Sequence, residues 1–153
     1  MSERAERNLA APTVLVVDDE VPILHTMDVN LRARGYTVVL ARSGTHALSL
    51  AGRRHPDVVI LDLGLPDIDG VEVIRGLRGW TSSPIIVLSA RTAEAQKVAA
   101  LDAGANDYVT KPFGIDELMA RVRVALRVPP GEEAPAVGAP RTGGTAPTPP
   151  VCR

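Results

Sequence analysis

The run Thr13-Val-Leu-Val-Val17 is apolar and largely β-branched, and it stops abruptly at Asp18. Hydrophobicity without polar interruption predicts a strand buried on both faces, as in a parallel sheet. Pro22 then opens a segment in which Ile23, Leu24, Met27 and Leu31 recur at helical spacing, and Gly35 supplies the stop. The alternation repeats. A strand from Tyr36 to Ala41 is followed by a helix through Ala47, Leu48 and Ala51, and a strand from Asp57 to Leu61 ends at Asp62. A third helix is expected from about Val71 to Leu77, and Pro84 precedes the strand Ile85 to Leu88. The fourth helix covers roughly Ala93 to Leu101, and the fifth strand is Asp107 to Thr110. The last helix, about Ile115 to Arg127, carries Leu118, Val122 and Ala125 on one face and arginines on another.

Five strands, each followed by a helix through short connections, imply right-handed crossovers and an α/β fold with a doubly wound five-stranded parallel sheet. A closed barrel of the same units needs about 250 residues, more than the 153 in this chain. In an open sheet of this kind chemistry sits at the carboxyl ends of the strands, beside the switch in strand order. The residues at which the strands stop are therefore the ones to inspect.

Composition narrows the class without changing that picture. With 45% hydrophobic and 23% charged residues, the chain reads as one soluble globular domain. A net charge of -1 gives no general attraction for nucleic acid, so direct nucleic-acid binding by this chain is not expected. Residues 1–12 carry alternating charge rather than a signal-peptide core and are expected to be flexible. No apolar run approaches the roughly 20 residues of a membrane span, so no membrane insertion is expected and the cytoplasm is the default compartment. The lone Cys152 has no intrachain partner for a disulfide or a multi-cysteine zinc site. Residues 128–153 hold about half of the 13 prolines and few large apolar residues. Such a segment buries too little surface to offset its ordering entropy, and a disordered tail is expected there. The domain itself is assigned to residues 13–127.

The strand ends carry a distinctive set of groups. The first strand delivers Asp18 and Asp19, the third Asp62, the fourth Ser89, and the fifth Lys111 followed by Pro112. Taken singly, an aspartate after a strand is most often a turn or helix cap. Taken together, three carboxylates on one sheet edge repel each other, and the repulsion is relieved by protonation or by a hard divalent cation. Mg2+ suits such a site, because it prefers oxygen ligands and takes only a few from protein. The chain uses arginine almost everywhere and has lysine only at positions 97 and 111. A compact ammonium at position 111 can exchange one oxygen partner for another more readily than a guanidinium fork.

The motifs Val16-Val-Asp-Asp-Glu20, Leu61-Asp-Leu-Gly-Leu-Pro66 with Asp69-Gly70, Leu88-Ser-Ala90 and Lys111-Pro-Phe113 resemble those of response-regulator receiver domains with the CheY-like, flavodoxin-like (βα)5 fold. Within that family, Leu63-Gly-Leu-Pro-Asp67, Ile74 to Trp80 and Lys111 to Arg127 are similar to the potassium-responsive regulators of the OmpR/PhoB class. The resemblance implies that Asp62 is the phosphoacceptor, supplied by a sensor histidine kinase, and that Asp18 and Asp19 form the acidic pair for Mg2+. It implies a backbone carbonyl ligand from Gly64, phosphoryl contacts from Ser89 and Lys111, and a cis peptide bond before Pro112. Tyr108 matches the aromatic switch position. Gly64 and Arg91 match the positions flanking the phosphate, where they are expected to govern its lifetime. A weak homodimer on phosphorylation is expected through Lys97 facing Glu117 and Asp107 facing Arg121 across a two-fold axis. Asn106 departs from the family's acid there, leaving Arg123 without its usual partner.

Two other chemistries compete. A phosphatase of the haloacid-dehalogenase type also uses a strand-end aspartate with Mg2+ but needs a second aspartate two residues on, where Gly64 stands. A flavin-binding domain needs a phosphate loop after the first strand, and none follows. The expected tail leaves no room for an effector domain, so a truncated form of a DNA-binding regulator is expected, with a stand-alone receiver acting through partner binding as the alternative. His25, His46 and His55 have no metal-site spacing and read as solvated positions. Trp80 is expected to pack at the end of the third helix and Phe113 to anchor the fifth.

Overall fold

The computed structural model describes residues 11–127. Strands and helices alternate strictly: β1 (Thr13–Val17), α1 (Val21–Ala33), β2 (Thr37–Ala41), α2 (Gly44–Arg54), β3 (Val58–Asp62), α3 (Gly70–Arg78), β4 (Ile85–Ser89), α4 (Glu94–Ala103), β5 (Asp107–Thr110) and α5 (Ile115–Arg127). All strand pairs are parallel, in the order β2-β1-β3-β4-β5. The order reverses between β1 and β3, so the crevice for chemistry opens beyond the carboxyl ends of those two strands.

Alternate strand residues feed two separate cores, which is why the runs are continuously apolar. Leu15, Val17, Val59, Leu61, Ile85 and Val87 pack with Ala47 and Leu50 of α2 and Val73, Ile74 and Leu77 of α3. Val14, Val16, Val58, Ile60, Ile86 and Leu88 pack on the other face, with Leu24, Met27 and Leu31 of α1 and Leu118, Met119 and Val122 of α5. Strand ends run slightly further than apolarity alone predicts, because Asp62 and Ser89 are still strand residues in parallel register with Leu88 and Thr110. Asp57 lies just outside β3, where its backbone N–H bonds the Thr13 carbonyl and its carboxylate accepts from the Thr13 N–H. Of residues 1–12, Pro12 is already tied down, its carbonyl accepting from Thr37 N–H at 2.9 Å. Residues 1–10 and the tail at 128–153 lie outside the described residues, and so do the flexibility and disorder expected of them.

Phe113 packs against the α1/α5 core as expected, and His25, His46 and His55 are exposed. Trp80 corrects the expectation of a packed residue: it is 69% exposed. Leu77 takes the core position at the end of α3, and the chain then turns outward, with Trp80 N–H bonding the Leu77 carbonyl. The indole lies beside Gly52 of α2, where an added Cβ would be 3.8 Å from it.

Two long-range polar ties join elements that are distant in the chain. At the amino end of β4, Arg78 donates to the carbonyls of Gly104, Thr81 and Ser83 and to Asn106 Oδ1. Asn106 Oδ1 also accepts from Ile85 N–H at 2.8 Å, extending the β4 hydrogen bonding by a side chain. Burial holds the Arg78 pKa below that of an ordinary guanidinium. At the other edge, Asp67 in the β3–α3 loop caps α2: its carboxylate accepts from Gly44 N–H at 2.9 Å, Thr45 N–H at 3.0 Å and the Thr45 hydroxyl at 2.8 Å. These bonds, those to Thr45 first, lower its pKa from 3.8 to about 2.

Asn106→Ala strands Ile85 N–H and one Arg78 donor, and urea unfolding is expected to show a loss of about 1–3 kcal/mol. Asn106→Asp presents a carboxylate to the same donors and should be at least as stable as the parent; a loss comparable to that of Asn106→Ala would contradict the tie. For Asp67 the folded pKa lies below the unfolded one, so its contribution is present above pH 3.8 and disappears as pH falls toward about 2. The difference in melting temperature between the parent and Asp67→Asn should therefore be constant near neutrality and vanish across that acid window.

Candidate functional site

The site is assembled by strands that end polar. The β1 ladder continues through Asp18, whose N–H bonds the Ala41 carbonyl, and this draws its side chain into the carboxyl edge at 1% exposure. Asp18 Oδ1 accepts from Glu20 N–H at 2.9 Å, closing the turn into α1. Asp62, the last residue of β3, is 5% exposed, and its Oδ1 accepts from Gly64 N–H at 3.2 Å. Asp19 is half-buried beside them. Each of the three carboxylates offers an oxygen, and these oxygens lie within 4.8 Å of one another.

Lys111 enters from the end of β5. Its backbone N–H bonds the Ser89 carbonyl at 2.8 Å, and the peptide bond to Pro112 is cis. The Lys111 ammonium sits 3.3 Å from Asp18 Oδ2 and 3.5 Å from Asp62 Oδ1. Ser89 is 2% exposed at the end of β4, and its Oγ accepts from Arg91 N–H at 2.9 Å. Asp18, Asp19, Asp62, Ser89 and Lys111 thus gather at the one edge that the strand-end argument selects. Gly64 is held in the same place by its amide.

The electrostatics follow from burial. Desolvation raises the Asp18 pKa and the Asp62 charge adds to it, against the lowering effects of the Glu20 N–H and Lys111. Burial alone would lower the Lys111 pKa, but Asp62 and Asp18 outweigh it and the ammonium is held above its ordinary value. One ammonium beside three carboxylates leaves an excess of negative charge, and an all-oxygen donor set of this kind fits a hard divalent cation. Protonation of Asp18 is the alternative route to the same relief.

The other predicted residues lie elsewhere. Tyr108 is half-buried in β5, and its hydroxyl donates to the Arg91 carbonyl at 2.8 Å, so the tyrosine is latched to the β4–α4 loop. Lys97 of α4 stands 5.8 Å from the centre of that ring. Arg121 pairs within the chain, with Asp107 at 2.9 Å and Glu117 at 3.0 Å. The hydrogen bonds to Asp107 and then to Glu117 raise its pKa. Asp107 and Arg121, expected to meet across a two-fold axis, already meet inside one protomer. Asn106 is exposed, but its amide oxygen is already engaged by Ile85 N–H and Arg78. Sequence reasoning missed Asp67, since its partners lie 22 and 23 residues back in the chain and no local spacing marks them. Its one signal is an acid directly after Pro66.

Comparison with known proteins agrees with this arrangement. Residues 14–123 match the response regulator receiver domain family. Over 114 residues the chain is 60% identical to the transcriptional regulatory protein KdpE of Mycobacterium tuberculosis (strain H37Rv), covering 74% of this chain and 50% of that protein. It is 55% identical over 114 residues to the KDP operon transcriptional regulatory protein KdpE of Escherichia coli (strain K12), covering 74% and 51%. The chain therefore spans about half the length of the curated relatives it matches. Among solved structures, the BeF3-activated N-terminal receiver domain of RstA from Klebsiella pneumoniae matches with a TM-score of 0.72 and 31% identity, over 76% of this chain and 99% of that one. Among the described residues no helix is long and apolar enough to cross a membrane. The dehalogenase-type and flavin-binding alternatives give way to these likenesses. The chain belongs to the response-regulator receiver family, and its described domain is the receiver of a two-component response regulator similar to the KdpE regulators of the OmpR/PhoB class.

Proposed function

We propose that Asp62 accepts a phosphoryl group from the phosphohistidine of a sensor histidine kinase. The observation that carries this reading is the half-buried ammonium of Lys111 shared between the buried carboxylates of Asp18 and Asp62, with Asp19 beside them. An Asp62 carboxylate oxygen attacks phosphorus, the P–N bond breaks, the imidazole leaves with its electron pair, and an acyl phosphate is formed. The Gly64 hydrogen bond and the Lys111 ion pair of Asp62 both fall on Oδ1, which leaves Oδ2 for the attack. Lys111 then moves its ammonium from the carboxylate to a phosphoryl oxygen, and the Ser89 hydroxyl bonds another. Asp18, Asp19, Asp62 and the Gly64 carbonyl would hold Mg2+, which supplies charge neutralisation for an incoming phosphate. The domain catalyses only its own phosphoryl transfer and dephosphorylation.

Phosphorylation pulls on Ser89, whose Oγ is bonded by Arg91 N–H, and Arg91 in turn holds the Tyr108 hydroxyl through its carbonyl. That chain of bonds connects the phosphate to the face of α4, β5 and α5 bearing Lys97, Asp107, Glu117 and Arg121. We read this face as the output, forming a weak homodimer when Arg121 exchanges intrachain for interchain partners. Direct contact with nucleic acid is not assigned to this domain.

Asp62→Asn is expected to abolish acid-labile phosphate incorporation from a small phosphodonor, and excess EDTA to do the same to the parent. Undiminished incorporation in the variant would sink the assignment, and incorporation that persists in EDTA would sink the metal role. With a beryllofluoride mimic bound, sedimentation should show a salt-sensitive shift from monomer toward dimer. Because Asn106 is engaged by Arg78 and Ile85, Asn106→Asp should leave that shift unchanged; a tighter dimer would restore the pairing with Arg123.

A further inference from the structure

The loop from Leu63 to Asp69 carries Gly64, the one pocket group that acts through its backbone and so cannot be placed by a side-chain rotamer. Its position depends on how the loop is anchored. Leu63 is buried and its N–H bonds the Leu88 carbonyl. Gly70 lies against Leu63 so closely that a Cβ would fall 2.6 Å from the Leu63 Cα. Asp69 caps α3 through Val71 N–H. These contacts fix both ends of the loop, and the crest between them is fixed by Asp67.

Asp67 reaches out of the loop to α2. Three donors of the first turn of that helix, the Gly44 and Thr45 amides and the Thr45 hydroxyl, converge on its carboxylate. The helix has its own local cap as well, because Ser43 Oγ accepts from His46 N–H at 3.1 Å. Close packing supports the same junction: a Cβ on Gly44 would fall 2.8 Å from Val73 Cγ2 and 3.2 Å from Ile68 Cβ. Ile68 and the glycine thus press the loop against α2 at the point where the carboxylate bonds it.

We propose that Asp67 is a positioning residue of the acidic pocket: by tethering the β3–α3 loop to the first turn of α2, it holds the Gly64 backbone at the metal and phosphoryl position. The inference rests on the reading of Asp62, Asp18, Asp19 and Gly64 as the metal and phosphate pocket. It makes α2, which contributes no group to that pocket, a determinant of cation affinity. The low pKa of Asp67 keeps the tether charged at every pH near neutrality.

The contrast between Asp67 and Ser43 separates tethering from simple helix stability, since both cap α2 but only Asp67 belongs to the loop. Mg2+ alone is titrated into the parent, Asp67→Ala, Asp67→Asn, Ser43→Ala and Asp62→Asn, following the Gly64 and Lys111 amide resonances, with melting temperatures recorded in parallel. Asp67→Ala should weaken Mg2+ binding on the order of tenfold and accelerate hydrogen exchange at Gly64 N–H. Ser43→Ala should lower the melting temperature without changing the affinity. Parental affinity in both Asp67 variants, or an equal loss in Ser43→Ala, overturns the tether. If Asp67→Ala does not fold, Thr45→Val removes the hydroxyl bond from the α2 side and should show a smaller loss in the same direction; parental affinity there overturns it too. No saturable Mg2+ response in the parent, or parental affinity in Asp62→Asn, instead refutes the pocket itself.

Discussion

A parallel sheet covered by helices on both faces has nowhere to hold a polar side chain except where its strands stop. The other features of this domain follow from that restriction. The interiors of β1 to β4 are Val, Leu and Ile because both cores must be filled, and the five polar groups of the pocket stand where β1, β3, β4 and β5 end. The pocket is thereby built on strand ends, which hold side chains more precisely than loops do, and the loops have only to complete it.

Rigidity concentrates charge. Asp18 and Asp62 are nearly excluded from water, so their mutual repulsion is poorly screened, and a single lysine cannot neutralise the cluster. The geometry stores an unmet demand for positive charge. Lys111 meets part of it in the resting domain and is free to be re-partnered because an ammonium has no fixed donor plane. The same imbalance that makes the pocket costly to fold is what fits its oxygen donors to a hard cation.

Groups placed by the sheet were legible in the sequence, because apolar runs and their abrupt ends locate Asp18, Asp62, Ser89 and Lys111 without knowledge of tertiary contacts. Element boundaries differ by a residue or two where a side-chain cap or strand register decides them, as at Asp69 and Ser89. Groups placed by contacts between helices were not legible. Arg78 meets Gly104 and Asn106 from 26 and 28 residues away, and Asp67 meets α2 across 22 and 23. No periodicity encodes such pairs. Asn106 shows the consequence: aligned to a family position it reads as a missing charge on a surface, whereas in the fold its amide serves as the end of a strand. Trp80 fails for another reason, since a large apolar residue at a helix end is expected inward and only the turn after Leu77 sends it out.

The helices are not equally anchored. α4 buries only Ala100, and it leaves Val98 and Leu101 at the surface, whereas α1, α2, α3 and α5 each set several side chains into a core. Hydrophobic adhesion scales with the apolar area removed from water, about 25 cal/mol per Å2, so a helix seated by the methyl of Ala100, with Ala103 partly buried beside it, is the least expensive of the five described helices to shift. Its place is kept instead by directional contacts, Lys97 over the Tyr108 ring and Tyr108 on the Arg91 carbonyl, which break and re-form without exposing a core. The domain can therefore reshape one side of itself while its cores stay shut, as a hinged panel moves on a fixed frame.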